Sequence, residues 1–477
     1  MILSRMQKAG ILLLIFVLYL ILGLVAPLLH TPELTEETKQ AQIPVSDFYG
    51  EKESMDRAMI LETGKSAWEE RLRLLNQAQS QIVLTTFDIR DEKSTRDILS
   101  VLLQKADKGV KVRILVDGLN GWYRMGKSSL FKSLTTHPNI TIKLYNPIHV
   151  LAPWKNQYRM HDKYVIVDDL GYIIGGRNTN NYFIGDYSTK SRSLDREVLI
   201  YNTKNGTKEG NNSSIVQLQN YFEGIWQGDF CRNYAEKKIP SIDQEKKLRE
   251  LQMHYNKLVQ KHTELFCDLD FKEDTVPVNA IHLVFNNPNP VAKEPVIFHT
   301  MTELMKQAKD QVTVFTPYAV FNDYMKESLK EVSDRVPDTK IVINSVENGD
   351  NFVASSDYLR HKQDVLDSGF QIYEYDGGTS THGKSLAIDD RLSVIGSYNL
   401  DLRSTYLCTE SMLVIDSQEL NKELRHNFNN MQEDTRKLVS PNEYDIPDDL
   451  EIREVSGMQK FAWWLVGLIL QPFRLTI

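Results

Sequence analysis

The stretch His161–Asn178 reads H-D-K-Y-V-I-V-D-D-L-G-Y-I-I-G-G-R-N, and His382–Asn399 reads H-G-K-S-L-A-I-D-D-R-L-S-V-I-G-S-Y-N. The histidines lie 221 residues apart (382 − 161), and three further pairs keep that offset: Lys163 and Lys384, Asp168 and Asp389, Asn178 and Asn399. A single H-x-K is common on protein surfaces. Two copies in step, each with a distal Asp and a G-x-x-N, are not a coincidence of composition. Residues i and i+2 share one face of a strand, so each His and its Lys point the same way. The apolar runs Tyr164–Val167 and Leu386–Ile388 read as strands, and Asp168 to Gly171 and Asp389 to Arg391 as turns. Each copy is therefore a hairpin, with an imidazole and an ammonium on one strand and a carboxamide at the far end. That set suits a phosphate: Lys supplies charge, Asn a neutral donor, and His a nucleophile or a proton carrier.

Outward from the motifs the chain alternates. Helical patterns at 66–80, 95–108 and 130–136 interleave with strand patterns at 81–87, 110–116 and 140–145. Gly109 supplies the expected stop after the second helix. The order recurs, with helices at 296–308, 325–332 and 358–369 and strands at 311–318, 340–346 and 371–375. Alternation of this kind predicts an α/β fold, and the repeat spans a whole half rather than a short solenoid unit. Two halves facing each other about a pseudo-twofold axis would bring both His–Lys sets onto one phosphate. Gly64-Lys65-Ser66 has the tail of a phosphate-binding loop, but the upstream glycine position holds Met59, which excludes that reading.

H-x-K-x4-D followed by six residues and G-[GS]-x-N resembles the signature of the phospholipase D superfamily. Arg159–Lys163, Gly175–Asn178 and Ile395–Thr405 are similar to its bacterial cardiolipin synthase and phospholipase D-like branch. The resemblance covers roughly residues 55 to 430 and is specific for the superfamily rather than for the substrate. It implies a catalytic set of His161, Lys163, Asp168, His382, Lys384 and Asp389, with Asn178, Asn399 and the two lysines on the substrate phosphate. It implies His161 as nucleophile and His382 as general acid and base; the residues themselves leave the two equivalent. Asp168 and Asp389 are expected to brace the hairpin and its lysine. Each histidine needs a carboxylate to orient it, and Asp195, Glu197 and Glu410 lie where the family places such residues. The choice between Asp195 and Glu197 stays open.

Composition narrows the partners. The 477 residues carry a net charge of −8, which argues against a nuclease gripping a long phosphate backbone. No metal or other cofactor is expected, since the lysines can neutralise the phosphate and no carboxylate cluster is evident. Cys231, Cys267 and Cys408 lack metal-ligand spacing and exclude a disulfide framework, although one bridge between Cys231 and Cys267 stays open outside the cytoplasm. Arg5 and Lys8 precede an uncharged apolar run, Ile11–Leu29, whose 19 residues would span about 28 Å as a helix. The flanking charges favour an uncleaved single-pass anchor with its start in the cytoplasm and the catalytic body outside. A cleaved signal peptide competes, but Leu24-Val25-Ala26 before Pro27 is a poor cleavage context.

The expected layout is an anchor (1–30), a linker (31–54), a first phospholipase D-like domain (55–235), a connecting helical segment (236–290), a second such domain (291–435) and a tail (436–477). Within the tail, Phe461–Leu470 reads either as an interfacial segment or as a docked helix. The expected substrate is a phospholipid, phosphatidylglycerol or a relative. The expected reaction is transfer to make cardiolipin through a phosphohistidine, with hydrolysis to phosphatidic acid and nuclease action as alternatives.

Overall fold

The structure is a computed structural model that describes residues 4–126, 128–267 and 270–477. Each half is built on a nine-stranded mixed sheet. In the first, Gln81–Thr86, Lys111–Asp117 and Ile140–Tyr145 run parallel, as the βα alternation dictates. The hairpin Tyr164–Val167 and Gly171–Gly175 then adds antiparallel beside Gln81–Thr86, followed by Glu197–Asn202 and Asp56–Leu61. The second sheet repeats the order. Gln371–Tyr375, Asp338–Asn344 and Gln311–Phe315 are parallel, then come the hairpin Ser385–Ile388 and Leu392–Gly396, Ser411–Asp416 and Ala280–Phe285. Both hairpins are buried along their whole length. This is why their sequences read as unbroken apolar runs rather than as alternation.

Among the described residues three apolar cores result. One fills each half between its sheet and outer helices. The third lies between the halves, where Tyr164, Ile166, Tyr172 and Ile174 meet Phe315, Ala387, Ile395 and Leu413, with the helices Ile215–Trp226 and Gln418–Gln432 alongside. Gly171–Gly175 contacts its own counterpart, Leu392–Gly396, across this core. Equivalent elements touch in this way where a twofold axis passes between them.

The domain limits differ from those expected at three places. The segment 31–54 is not a free tether: Phe48 is 1% exposed in the core of the second half, and the Gly50 N–H donates to Asp416 Oδ2 at 2.7 Å. Within 236–290, the helix Ile242–Lys261 packs on the helices Lys93–Asp107 and Ser129–Leu134. Val276–Pro277 edges the first sheet and Ala280–Phe285 the second, so the halves part between them. Thr435–Ser440 and Glu443–Asp445 complete the second sheet, so the tail proper begins after them. The helix Gly457–Ile469 docks one face on the second half, with Trp463 3% exposed and stacked on Phe352. Gly64 opens the helix Gly64–Asn76, capped by Thr63. The helix Arg5–Val25 spans about 31 Å and is long and apolar enough to cross a membrane. The three cysteines are free.

Candidate active site

Two very short parallel ladders build the site. Arg159–Met160, just before His161, pairs with Cys408–Thr409, just before Glu410. Ser380–Thr381, just before His382, pairs with Ser193–Leu194, just before Asp195. Each ladder crosses from one half to the other and sets a histidine beside a carboxylate from the opposite half. His161 Nδ1 lies 2.8 Å from Glu410 Oε1, and His382 Nδ1 lies 2.8 Å from Asp195 Oδ2. The backbone continues each ladder, with His161 N–H donating to the Thr409 carbonyl (3.1 Å) and His382 N–H to the Leu194 carbonyl (2.6 Å). A carboxylate on Nδ1 holds the proton there and leaves Nε2 for a substrate.

Lys163 and Lys384 fold back so that each ammonium donates to the carbonyl of its own histidine, and Lys384 also stands 2.6 and 3.1 Å from the His382 ring nitrogens. The two sets form one cluster. The charge of Lys384 acts on His161, and Asp195 and Glu410 act on both lysines. Burial pushes Lys163 down to about 7 and Lys384 down to about 8. Burial and the neighbouring lysines hold both imidazoles below the usual histidine value, His161 well below it. The carboxylates differ. Burial pushes Glu410 up to about 7. Burial also acts against the Asp195 charge, but Lys384 and His382 outweigh it, and Asp195 ends below the usual range. The asparagines follow the second strand of each hairpin. Asn178 Oδ1 accepts the Asp88 N–H at 3.0 Å, which leaves its amide N–H groups as donors. Asn399 is buried, and its Oδ1 has no partner among the described residues.

Of the residues expected from the sequence, these contacts bring six together: His161, Lys163, Asp195, His382, Lys384 and Glu410; Asn178 and Asn399 stand at equivalent places three residues past the two hairpins. Three lie elsewhere. Glu197 holds no histidine; it is buried in ion pairs with Arg71 and Arg177. It opens the strand Glu197–Asn202, while Asp195 lies in the short break after Ser193–Leu194, a distinction that two-residue spacing alone could not show. Asp168 and Asp389 bond neither motif lysine. Each sits at the far end of its strand at φ 48°, and its carboxylate takes the N–H groups that open the neighbouring strand. Asp168 accepts from Gln79, Ser80 and Gln81 at 2.6–3.0 Å, and Asp389 from Lys309, Asp310 and Gln311 at 2.9–3.0 Å. They brace the hairpin against its sheet, not the lysine.

The sequence reading missed several neighbours. Phe87 and Phe183 wall the histidines, with ring centroids 5.1 Å from His161 and His382 respectively. The only signal for Phe87 is its place just past the carboxyl end of a parallel strand, where α/β sheets open their crevices. Ser397 and Ser404 both donate to Glu410. Tyr182 from the first half donates to Asp350 of the second at 2.8 Å, beside the His382 side of the cleft. Among the described residues, no group of three His, Cys, Asp or Glu side chains is placed to hold a metal ion. Paired imidazoles beside two lysines can attack a phosphodiester and protonate its leaving group.

The chain is similar to several known proteins. A protein of Helicobacter pylori (strain ATCC 700392 / 26695), described only as uncharacterized, is 26% identical over 444 residues, covering 83% of this chain and 84% of that one. Cardiolipin synthase C of Escherichia coli (strain K12) is 23% identical over 406 residues, covering 76% and 81%. The crystal structure of phosphatidylserine synthase from Haemophilus influenzae Rd KW20 superposes with a TM-score of 0.61 at 16% identity, covering 88% of this chain and 95% of that one, and so shares the fold. The profile described as "Cardiolipin synthase, PLD-like domain" matches residues 72–226 and 301–432, more than half of the chain. The chain belongs to the cardiolipin synthase, phospholipase D-like domain family.

Proposed function

We propose that the protein is a membrane-anchored phosphatidyltransferase that makes cardiolipin from phosphatidylglycerol through a phosphohistidine. The observation that carries this reading is the crossed pairing of His161 with Glu410 and His382 with Asp195 around one cleft. His161 Nε2 attacks phosphorus and the bond to glycerol breaks. His382 gives its proton to the departing glycerol oxygen. A hydroxyl of a second phosphatidylglycerol then loses its proton to His382 and attacks phosphorus, which frees His161. Lys163, Lys384, Asn178 and Asn399 balance the charge that builds on the phosphoryl oxygens.

The unequal carboxylates support this division of roles. Asp195 keeps its charge and pulls His382 upward against burial and Lys384, which limits the loss of the imidazolium form that a general acid needs. Glu410, pushed up to about 7, does less to charge His161, which suits a neutral nucleophile. The assignment of a phospholipid substrate is supported by the names of the relatives and by the apolar helix Arg5–Val25, and the topology proposed is start inside, catalytic body outside. The test is product analysis with purified protein and labelled phosphatidylglycerol, wild type beside His161→Ala. Cardiolipin plus free glycerol, absent in the variant, is the expected result. Phosphatidic acid alone would replace transfer by hydrolysis, and no lipid product would redirect attention to other phosphodiesters.

A further inference from the structure

The anchor helix does not leave the body by a free hinge. The Tyr19 hydroxyl donates to the Leu151 carbonyl at 2.6 Å, and the Tyr19 ring meets Trp154 edge-on at 6.5 Å. Pro153 fills the space over Gly23, where a Cβ would lie 2.3 Å from its Cγ, and Gln157 donates to the Leu24 carbonyl at 2.9 Å. The segment Pro147–Tyr158 thus runs alongside the last two turns of the helix. Tyr19 lies six residues before the helix end at Val25, or about 9 Å along its axis. Whatever depth Tyr19 has in a bilayer, Leu151 shares. The segment is built for that place: Leu151 is 79% exposed, Val150 56%, and Ile148 and Trp154 about 40%. Such a cluster is unfavourable in water and favourable in lipid.

A second apolar strip lies on the same side. Gly457–Ile469 turns Trp463 inward and leaves Phe461, Trp464, Leu468 and Ile469 exposed. The turn that follows it, Gln471–Thr476, touches Ala26–Leu29, where the anchor ends. A short helix with an aromatic, apolar outer face at this level matches the membrane interface. Beyond Tyr158 the chain passes straight into Arg159–Met160, the strand that sets His161.

We infer that Pro147–Tyr158 is inserted into the same leaflet as the end of the anchor, with Gly457–Ile469 lying in the interface, so that the cleft opens onto a lipid bilayer. This rests on the reading of Arg5–Val25 as a span and of phospholipid as substrate. The occupant is the bilayer, because the segment is fixed to the part of the chain that must lie within it.

The test uses the full-length protein in vesicles of phosphatidylglycerol and phosphatidylethanolamine. Val150→Cys, in a Cys267→Ser background, is labelled with an environment-sensitive fluorophore. Acyl-chain nitroxide lipids should quench the label, and aqueous iodide should quench it several-fold less than in detergent-free unfolded protein. Free access of iodide would overturn the inference. So would protection from iodide without acyl-chain quenching, which would mean that a second copy or another protein covers the segment. Val150→Asp with Leu151→Asp should cut turnover of long-chain phosphatidylglycerol in vesicles by about tenfold or more, while turnover of a monomeric short-chain analogue changes little. Equal loss on both substrates would overturn it as well. The label reads position without turnover. A quenched label on a protein that forms no lipid product would therefore remove the proposed reaction and leave the inserted segment standing.

Discussion

Gly176 and Ser397 occupy equivalent places after the two hairpins and set the two carboxylates differently. A Cβ at Gly176 would lie 2.3 Å from Asp195 Oδ1, whereas the Ser397 hydroxyl donates to Glu410. Gly176→Ala should therefore displace Asp195 from His382 and lower kcat by about 10- to 100-fold, a partial loss of general acid–base catalysis, with little change in thermal midpoint. Kinetics beside a melting curve would check this. The two candidate partners of His382 separate in the same way. Asp195→Asn should reduce kcat by about 10²-fold or more in a correctly folded protein. Glu197→Gln should instead act on stability, at about 3–5 kcal/mol, because it breaks a buried pairing with Arg71 and Arg177. Comparable unfolding midpoints for the two variants would contradict the assignment. The lysines give a pH signature. Lys163 and Lys384 are held down to about 7 and about 8, so they carry charge below those values and lose it above. In the free enzyme kcat/KM should fall as pH rises through that range. The limb should lie higher in kcat, since bound phosphate favours the ammonium form.

At the scale of elements, the hairpins were legible because their strands are mostly apolar and the charged residues sit only at their ends. The ladders that assemble the site were not. Arg159–Met160 with Cys408–Thr409 and Ser380–Thr381 with Ser193–Leu194 are two residues long and join positions far apart in the chain. No local periodicity marks such a pairing. The segment 31–54 misled for a related reason. Its two prolines and its polarity suit a linker, but Phe48, with Ile43, Val45 and Tyr49 beside it, ties it into the second half. Phe48→Ala should cost about 3–5 kcal/mol, the usual price of emptying an aromatic site in a core. Thermal unfolding in detergent should show a lowered transition, with the active site geometry kept below it.

For the molecule as a whole, the duplication matters because neither half owns a complete site. His161 takes its carboxylate from the second half and His382 from the first. The apolar core between the sheets, and not the ladders, holds this crossing together, since burial of that area outweighs a handful of backbone bonds. The apolar helix near the start bears on the other global property, the proposed topology. With Arg5 and Lys8 before the span and acidic residues after it, a tag at residue 1 should resist external protease in intact cells while a site in the catalytic body is cut. Cleavage of the tag in sealed cells would reverse the proposed topology.

The sequence by itself determined the α/β class, the duplication, the two His–Lys sets and the apolar helix near the start. These are written in residue order, as local spacing and as hydrophobic period. Tertiary structure alone decided which carboxylate serves which histidine, that Glu197 is a structural ion pair, and that Asp168 and Asp389 brace strands rather than lysines. It also decided that Pro147–Tyr158 lies along the helix Arg5–Val25. Each of these depends on contacts between residues distant in the chain. Such contacts are set by how the two sheets pack, and packing is the one term that no single stretch of sequence carries.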